Sequence, residues 1–220
     1  MNRKIWKALG IAVCMLALAA PRAMAETKVH VVTADTNFAE VVKTINASKD
    51  EDENVIELCA DITLTGNHTL ERNTTIKGEG HTIFVEPNAG ITVTGEKTTL
   101  NLGANGYDGT LTIDRDPRDV SVPEDIRGAF ITVSGGATAN MYGNVTLQNW
   151  QFAGNACVVI MGPKLATGSN SVFNMCGGVI ENCSRAVTAG SRTTFNMSGG
   201  KIRNREGIRG SGKWRRCPRL

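Results

Sequence analysis

Two eleven-residue segments of this chain, Val172-Phe173-Asn174-Met175-Cys176-Gly177-Gly178-Val179-Ile180-Glu181-Asn182 and Thr194-Phe195-Asn196-Met197-Ser198-Gly199-Gly200-Lys201-Ile202-Arg203-Asn204, share one pattern at a separation of 22 residues. A unit that short cannot enclose a core of its own and has to bury its apolar face on a neighbouring copy. Ala139-Asn140-Met141-Tyr142-Gly143-Asn144-Val145-Thr146-Leu147-Gln148-Asn149 is a looser third copy, and Thr99-Leu100-Asn101-Leu102-Gly103 keeps the first half. A second piece recurs as Ile91-Thr92-Val93-Thr94-Gly95, Ile131-Thr132-Val133-Ser134-Gly135 and Ala186-Val187-Thr188-Ala189-Gly190. Each unit therefore reads as strand, glycine turn, strand, Gly-Gly turn, strand.

Three short strands without a helix have the length of one coil, and coils of this kind stack at about 4.8 Å with every strand parallel to its copy above and below. The expected fold is all-β, a single-stranded right-handed parallel β-helix (solenoid) with a short N-terminal capping helix. The hand is the one that strand-crossover-strand connections take. Phe173 with Phe195, Met175 with Met197, and Ile180 with Ile202 should stack as like-on-like core columns. Asn101, Asn140, Asn174 and Asn196 should fall in register, where amides hydrogen-bond along the stack. Gly-Gly supplies positive φ at the turns. A β-sandwich with coincidental internal similarity is the alternative; a leucine-rich repeat lacks its leucine spacing.

Upstream of the coils, Lys28–Val32 reads as a strand, and Phe38, Val41, Val42 and Ile45 have the i, i+3, i+4, i+7 spacing of a helix over 36–47, capped by Asp35 or Thr36. Val55–Cys59 reads as a buried strand. Ile62–Leu64, His68–Leu70, Thr74–Ile76, Thr82–Val85, Ile91–Val93, Thr99–Leu102 and Thr110–Ile113 follow as short alternating strands bounded by Gly or Asn. Residues 26–60 form the expected cap and 61–204 the coils. Aromatics at 5% and 24 glycines suit tightly turning stacked strands better than a globular core.

Arg3, Lys4 and Lys7 precede an apolar stretch from Ala8 to Ala20, and Ala23-Met24-Ala25 has the small residues of a cleavage site, so 1–25 reads as a signal peptide and the product as secreted or on the cell surface. Of 24 basic residues four lie in that leader, leaving 20 against 21 acidic. Six more (Arg205, Arg209, Lys213, Arg215, Arg216, Arg219) crowd the end, so residues 26–204 carry 14 basic against 20 acidic side chains. That body gives no footing for nucleic acid, and no later stretch could span a membrane. The basic stretch 205–220 lacks a strand period and reads as an irregular tail, truncated or frame-shifted from a longer repeat protein.

Cys59, Cys157, Cys176, Cys183 and Cys217 remain after the leader. Their spacings contain no C-x-x-C, and they read mostly as small apolar fillers, with one bridge, Cys176 to Cys183, as the alternative.

F-N-M-S-G-G-x-I resembles the repeats of right-handed parallel β-helix, pectate-lyase-like bacterial surface proteins, often described as adhesin-like. Thr74-Thr75-Ile76-Lys77-Gly78-Glu79-Gly80 after the cap is similar to that superfamily's first coil, and the resemblance runs from about residue 29 to 204. It implies the fold; for activity it implies either a lyase, hydrolase or esterase, or a non-catalytic surface protein.

The best catalytic candidate is Asp114-Arg115-Asp116-Pro117-Arg118-Asp119, at a strand end in a loop running to Arg127. By the resemblance, Asp114, Asp116 and Arg118 would serve a calcium-dependent polyuronate lyase. The R-x-P-x-x-R pattern of such lyases is half met, since Val120 stands where the second arginine belongs. The Asp-Asp pair and Gly-His-Gly of the hydrolases are missing, Gly80-His81 being followed by Thr82. A solvated, charge-balanced loop is the preferred reading. His30, His68 and His81 are scattered and read as surface or hydrogen-bonded residues. Asp50-Glu51-Asp52-Glu53 reads as a solvated loop before calcium. Sequons at Asn46, Asn67, Asn73, Asn144, Asn182 and Asn196 include repeat positions, and Trp150 and Tyr142 could stack on a sugar or pack in the core. No catalytic, cofactor or metal residue is therefore assigned. The expected function is a non-catalytic structural or adhesin-like surface protein whose partner is an extracellular glycan or a cell-surface protein, with the lyase as the alternative.

Overall fold

The computed structural model describes residues 26–49, 52–115, 128–151, 155–162, 168–203, 208–210 and 213–216, the last two segments by backbone alone. The proposed leader, Asp50, Glu51, Asp116–Arg127 and Cys217 lie outside the described residues.

The chain begins with β1 (Thr27–Val32), α1 (Phe38–Asn46) and β2 (Glu53–Leu58). Then come β3 (Ile62–Leu64), β4 (Asn67–Leu70), β5 (Thr74–Lys77), β6 (Thr82–Val85), β7 (Gly90–Thr94), β8 (Thr99–Leu102) and β9 (Leu111–Arg115). β10 (Ile131–Ser134), β11 (Thr138–Met141), β12 (Val145–Gln148), β13 (Val158–Ile160), β14 (Ser171–Met175) and β15 (Val179–Glu181) continue the series. It closes with β16 (Val187–Ala189), β17 (Thr193–Met197), β18 (Lys201–Arg203), β19 (Ile208–Gly210) and β20 (Lys213–Arg216).

From β2 onward successive strands are dealt in rotation to three sheets, so each strand pairs with the strand three places before and after it. The first sheet runs β1-β2-β5-β8-β11-β14-β17-β20, the second β3-β6-β9-β12-β15-β18 and the third β4-β7-β10-β13-β16-β19, and the pairings are parallel throughout. All-β structure in three parallel sheets with one short helix fits a parallel β-helix.

Register reproduces the like-on-like columns. Phe173 lies against Phe195 and Met175 against Met197, with the two phenyl rings stacked at 5.6 Å. In the second sheet Ile62, Ile83, Ile113, Leu147, Ile180 and Ile202 form one continuous aliphatic column. Most of these side chains are fully buried, in one core shared by all three sheets. Alternation explains this: a parallel strand sends every second side chain inward, and a slip of one residue would expose the whole set.

The cap follows the expected order, with one local difference. The N-cap is Asn37, whose side chain accepts from the Ala39 N–H at 3.0 Å, rather than Asp35 or Thr36. Phe38, Val42 and Ile45 form the buried face of α1. Asn46, at the helix end, donates to the Thr69 carbonyl and accepts from the Glu71 N–H, at 2.8 and 2.9 Å. Its amide thus satisfies backbone groups along and just past β4, an edge that no described strand covers.

Three further differences concern strands and cysteines. β13 is a coil member that the repeat pattern does not reveal, seated between β10 and β16. β19 and β20 lie in the stretch that has no strand period in sequence, with Ile208 paired to Val187 and Trp214 to Phe195 along the backbone. The bridge forms between Cys157 and Cys183, not Cys176 and Cys183. Cys157 donates its N–H to the Arg185 carbonyl one coil on, which brings its side chain beside Cys183. Cys59 and Cys176 are free and exposed, so they are not fillers.

The turns between the first and second sheets stack so closely that they exclude side chains. Gly178 has φ +76°, and a Cβ there would collide with the Val145 carbonyl oxygen and lie 2.7 Å from the Met141 methyl. Gly178→Ala should therefore cost about 1–3 kcal/mol in urea unfolding. Gly66→Ala, where a Cβ would meet nothing within 4 Å, should change stability by less than about 1 kcal/mol. Equal effects would refute the packing argument.

Candidate functional site

Asp114 and Arg115 are not in a loop: both belong to β9. The Asp114 carboxylate accepts from Gln148 Nε2 at 2.6 Å and from Asn149 Nδ2 at 2.8 and 3.1 Å. Asn149 Oδ1 in turn accepts from Asn182 Nδ2 at 2.9 Å. Asn149 and Asn182 both adopt the left-handed backbone region, φ 66° and 58°, which asparagine tolerates better than other side-chain-bearing residues. They are the last asparagines of two repeat copies, so the motif's final residue builds an amide ladder at the turn after the second sheet. Asp114 terminates it. Asp116 and Arg118, its proposed partners in lyase chemistry, lie outside the described residues.

A second ladder runs up the outer face of the first sheet, as the repeat spacing implied. Asn196 donates to Asn174, Asn174 to Asn140 and Asn140 to Asn101, each from Nδ2 to Oδ1 at 2.8 Å. Asn101 then donates to Thr75 Oγ1 at 3.2 Å. Each such bond contributes about 1 kcal/mol, and a chain of them polarises cooperatively.

Beside this ladder lie two adjoining grooves. One, of about 280 Å³, is lined by Thr75, Lys77, Asn101 and Asn105 among others. The other, of about 450 Å³, is lined by Tyr107, Asp108, Asn144 and Cys176 among others. Tyr142, Asn105 and Ala104 belong to both. Lys77 is held at 2.9 Å from Glu57 and stands 5.6 Å from the centre of the Tyr107 ring. Burial, with Glu79 nearby, pushes the Tyr107 phenol up to about 12. A third groove, of about 490 Å³ and lined by Glu71, Arg72, Glu96 and Lys97 among others, lies at the turns between the third and first sheets.

The remaining candidates scatter. Trp150 is fully buried against Phe130, ring centres 4.6 Å apart, which makes it core rather than a sugar platform. His30 Nε2 donates to Asn54 Oδ1 at 3.2 Å, and His81 lies 3.5 Å from Asp61. His68 is half-buried: it pairs with Ile91 in the third sheet and packs edge-on against Phe38 at 5.0 Å. Burial there holds its imidazole below the ordinary range. Asp52 is tied to Lys28 at 2.6 Å, and that hydrogen bond holds its carboxyl below the ordinary carboxylate range. Among the described residues no group of three or more His, Cys, Asp or Glu side chains is placed to hold a metal ion. No protein-family model, curated protein or solved structure matches this chain.

Asp114→Ala should lower stability by about 1–3 kcal/mol, since it strands two amide donors, and chemical denaturation would measure this. A change within about 0.3 kcal/mol would show that the carboxylate is not a structural terminus. For pH, the signs follow from the shifts. Burial disfavours the His68 imidazolium in the fold, so stability is full above the ordinary imidazole value and falls as pH drops through it toward the lowered one. Asp52 contributes above the ordinary carboxylate value and loses its contribution at lower pH, as the depressed value is crossed. His68→Gln should flatten the first window alone in acid titrations of stability, and an unchanged slope would contradict the assignment.

Proposed function

We propose that this chain is a secreted or cell-surface protein built as a right-handed, single-stranded, pectate-lyase-like β-helix, acting as a non-catalytic structural or adhesin-like element. Its partner is an extracellular glycan or a protein on another cell.

One observation carries the reading: the polar side chains that the repeats hold in common are spent on bonds between coils. Asn101, Asn140, Asn174 and Asn196 satisfy one another up the first sheet. Asp114, the leading candidate for acid chemistry, is engaged by Gln148 and Asn149. A catalytic carboxylate has to meet substrate or metal, whereas this one ends a ladder. Open to solvent beside the first ladder are two adjoining polar grooves that share Tyr142, Asn105 and Ala104. Such a surface suits recognition of a polymer by many weak polar contacts and an aromatic face.

The purified protein should release no unsaturated product from polygalacturonate or related polyuronates in the presence of calcium, while retaining measurable binding on a glycan array or to cell-surface protein. Calcium-dependent product that disappears in Arg118→Ala would overturn the non-catalytic reading in favour of the lyase.

A further inference from the structure

The first strand is an open edge with an unusual composition. β1 ends the first sheet, paired among the described residues only to β2, and at six residues it matches β2 as the longest strand described. Edge strands are commonly blunted by outward lysine, proline or a bulge. β1 has neither a proline nor a bulge. Its register to β2 is uninterrupted from Thr27 to Val32, and its only charged side chain, Lys28, is tied back to Asp52 at 2.6 Å. Val29 and Val31 are 53% and 55% exposed, two of the three exposed large apolar side chains among the described residues.

Which backbone groups are open follows from the pairing. Glu26 and Val32 give their carbonyls to the N–H groups of Glu53 and Cys59 on the β2 side. The N–H and C=O of one residue leave a strand on the same side, and the side alternates along the chain. Thr27, Val29 and Val31 therefore turn both groups to the free edge. The residues with exposed apolar side chains are the ones with open backbone donors and acceptors.

We propose that this edge is a self-association surface, on which the β1 strand of a second copy of the chain pairs antiparallel about a two-fold axis through Val29. In that register Val29 faces Val29, and Thr27 faces Val31 on either side. Each of the three facing pairs exchanges two bonds, so every open N–H and C=O of both strands is satisfied. Moving the axis to His30 would set Thr27 against Thr33, whose N–H is already given to Thr36 Oγ1 at 2.9 Å. Self-complementarity is what a two-fold interface demands of one patch. It selects a second copy over a partner with charged recognition groups, because β1 itself offers no unpaired charge. The two first sheets would join into one continuous sheet, with the four valines clustered on its outer face.

Sedimentation velocity of the whole purified chain over roughly 1–100 µM, the range of a weak interface, should show the mass doubling. Val29→Lys combined with Val31→Lys should abolish the doubling and leave the melting temperature of the monomer unchanged, because both side chains point to solvent. A monomer throughout, as would result if residues 1–25 occupied the edge, overturns the proposal, and so does a dimer that survives the double substitution. The register has its own test in a background of Cys14→Ser, Cys59→Ser, Cys176→Ser and Cys217→Ser. There Val29→Cys should oxidise to a linked dimer, since facing bonded pairs have Cα atoms about 5.5 Å apart. Val31→Cys alone should not link, and Thr27→Cys with Val31→Cys should. The reverse pattern would overturn the two-fold at Val29.

Discussion

Backbone hydrogen bonding between one coil and the next is the constraint on which everything else in this molecule rests. Parallel pairing fixes each residue opposite one partner above and one below, so a side chain is judged first by what lies over it. The aliphatic column from Ile62 to Ile202 is the result in the core. The asparagines from Asn101 to Asn196 are the result outside. Apolar residues stack because the coils leave no water between them; amides stack because each is at once donor and acceptor. The same closeness forces glycine at Gly178 and Gly200, where any Cβ would meet the backbone of the coil below.

Much of this was legible in the residues. The match between residues 172–182 and 194–204 predicts the pairing of Phe173 with Phe195 and of Ile180 with Ile202, because parallel register preserves sequence offset. What escaped has physical reasons. β13 lacks the central Thr that marks its sister strands, so Val158-Val159-Ile160 does not look like Ile131-Thr132-Val133, although it stacks on it. The Cys157–Cys183 bridge joins residues 26 apart that are neighbours only because coils stack, whereas Cys176 and Cys183 are close along the chain and lie at different turns. His68 hides in a column that is otherwise aliphatic, a place that alternation alone would assign to isoleucine.

The candidate site was less legible. Asp114 stands out in sequence as one of a cluster of charges, and that clustering suggested chemistry. Its partners are Gln148 and Asn149, the last two residues of a repeat copy, yet nothing local to Asp114 points to residues 34 and 35 positions further on. The grooves around Tyr142 and Asn105 arise from turns of successive coils meeting, which no single segment encodes. Function on such a scaffold belongs to the surfaces that stacking leaves over, and those are set by coil-to-coil differences rather than by the repeat itself.

Both amide ladders run in one sense. Every side-chain N–H points toward the preceding coil and every oxygen toward the following one, from Asn196 back to Asn101 and from Asn182 back to Asn149. Aligned amides add their dipoles, as peptide groups do along an α-helix, with the donor end positive and toward the N-terminus. Asp114 sits at the donor end of its ladder, where a negative charge is favoured. The stack therefore has an electrical direction as well as a mechanical one: its two ends differ in the sign of charge they welcome, before any charged side chain is counted.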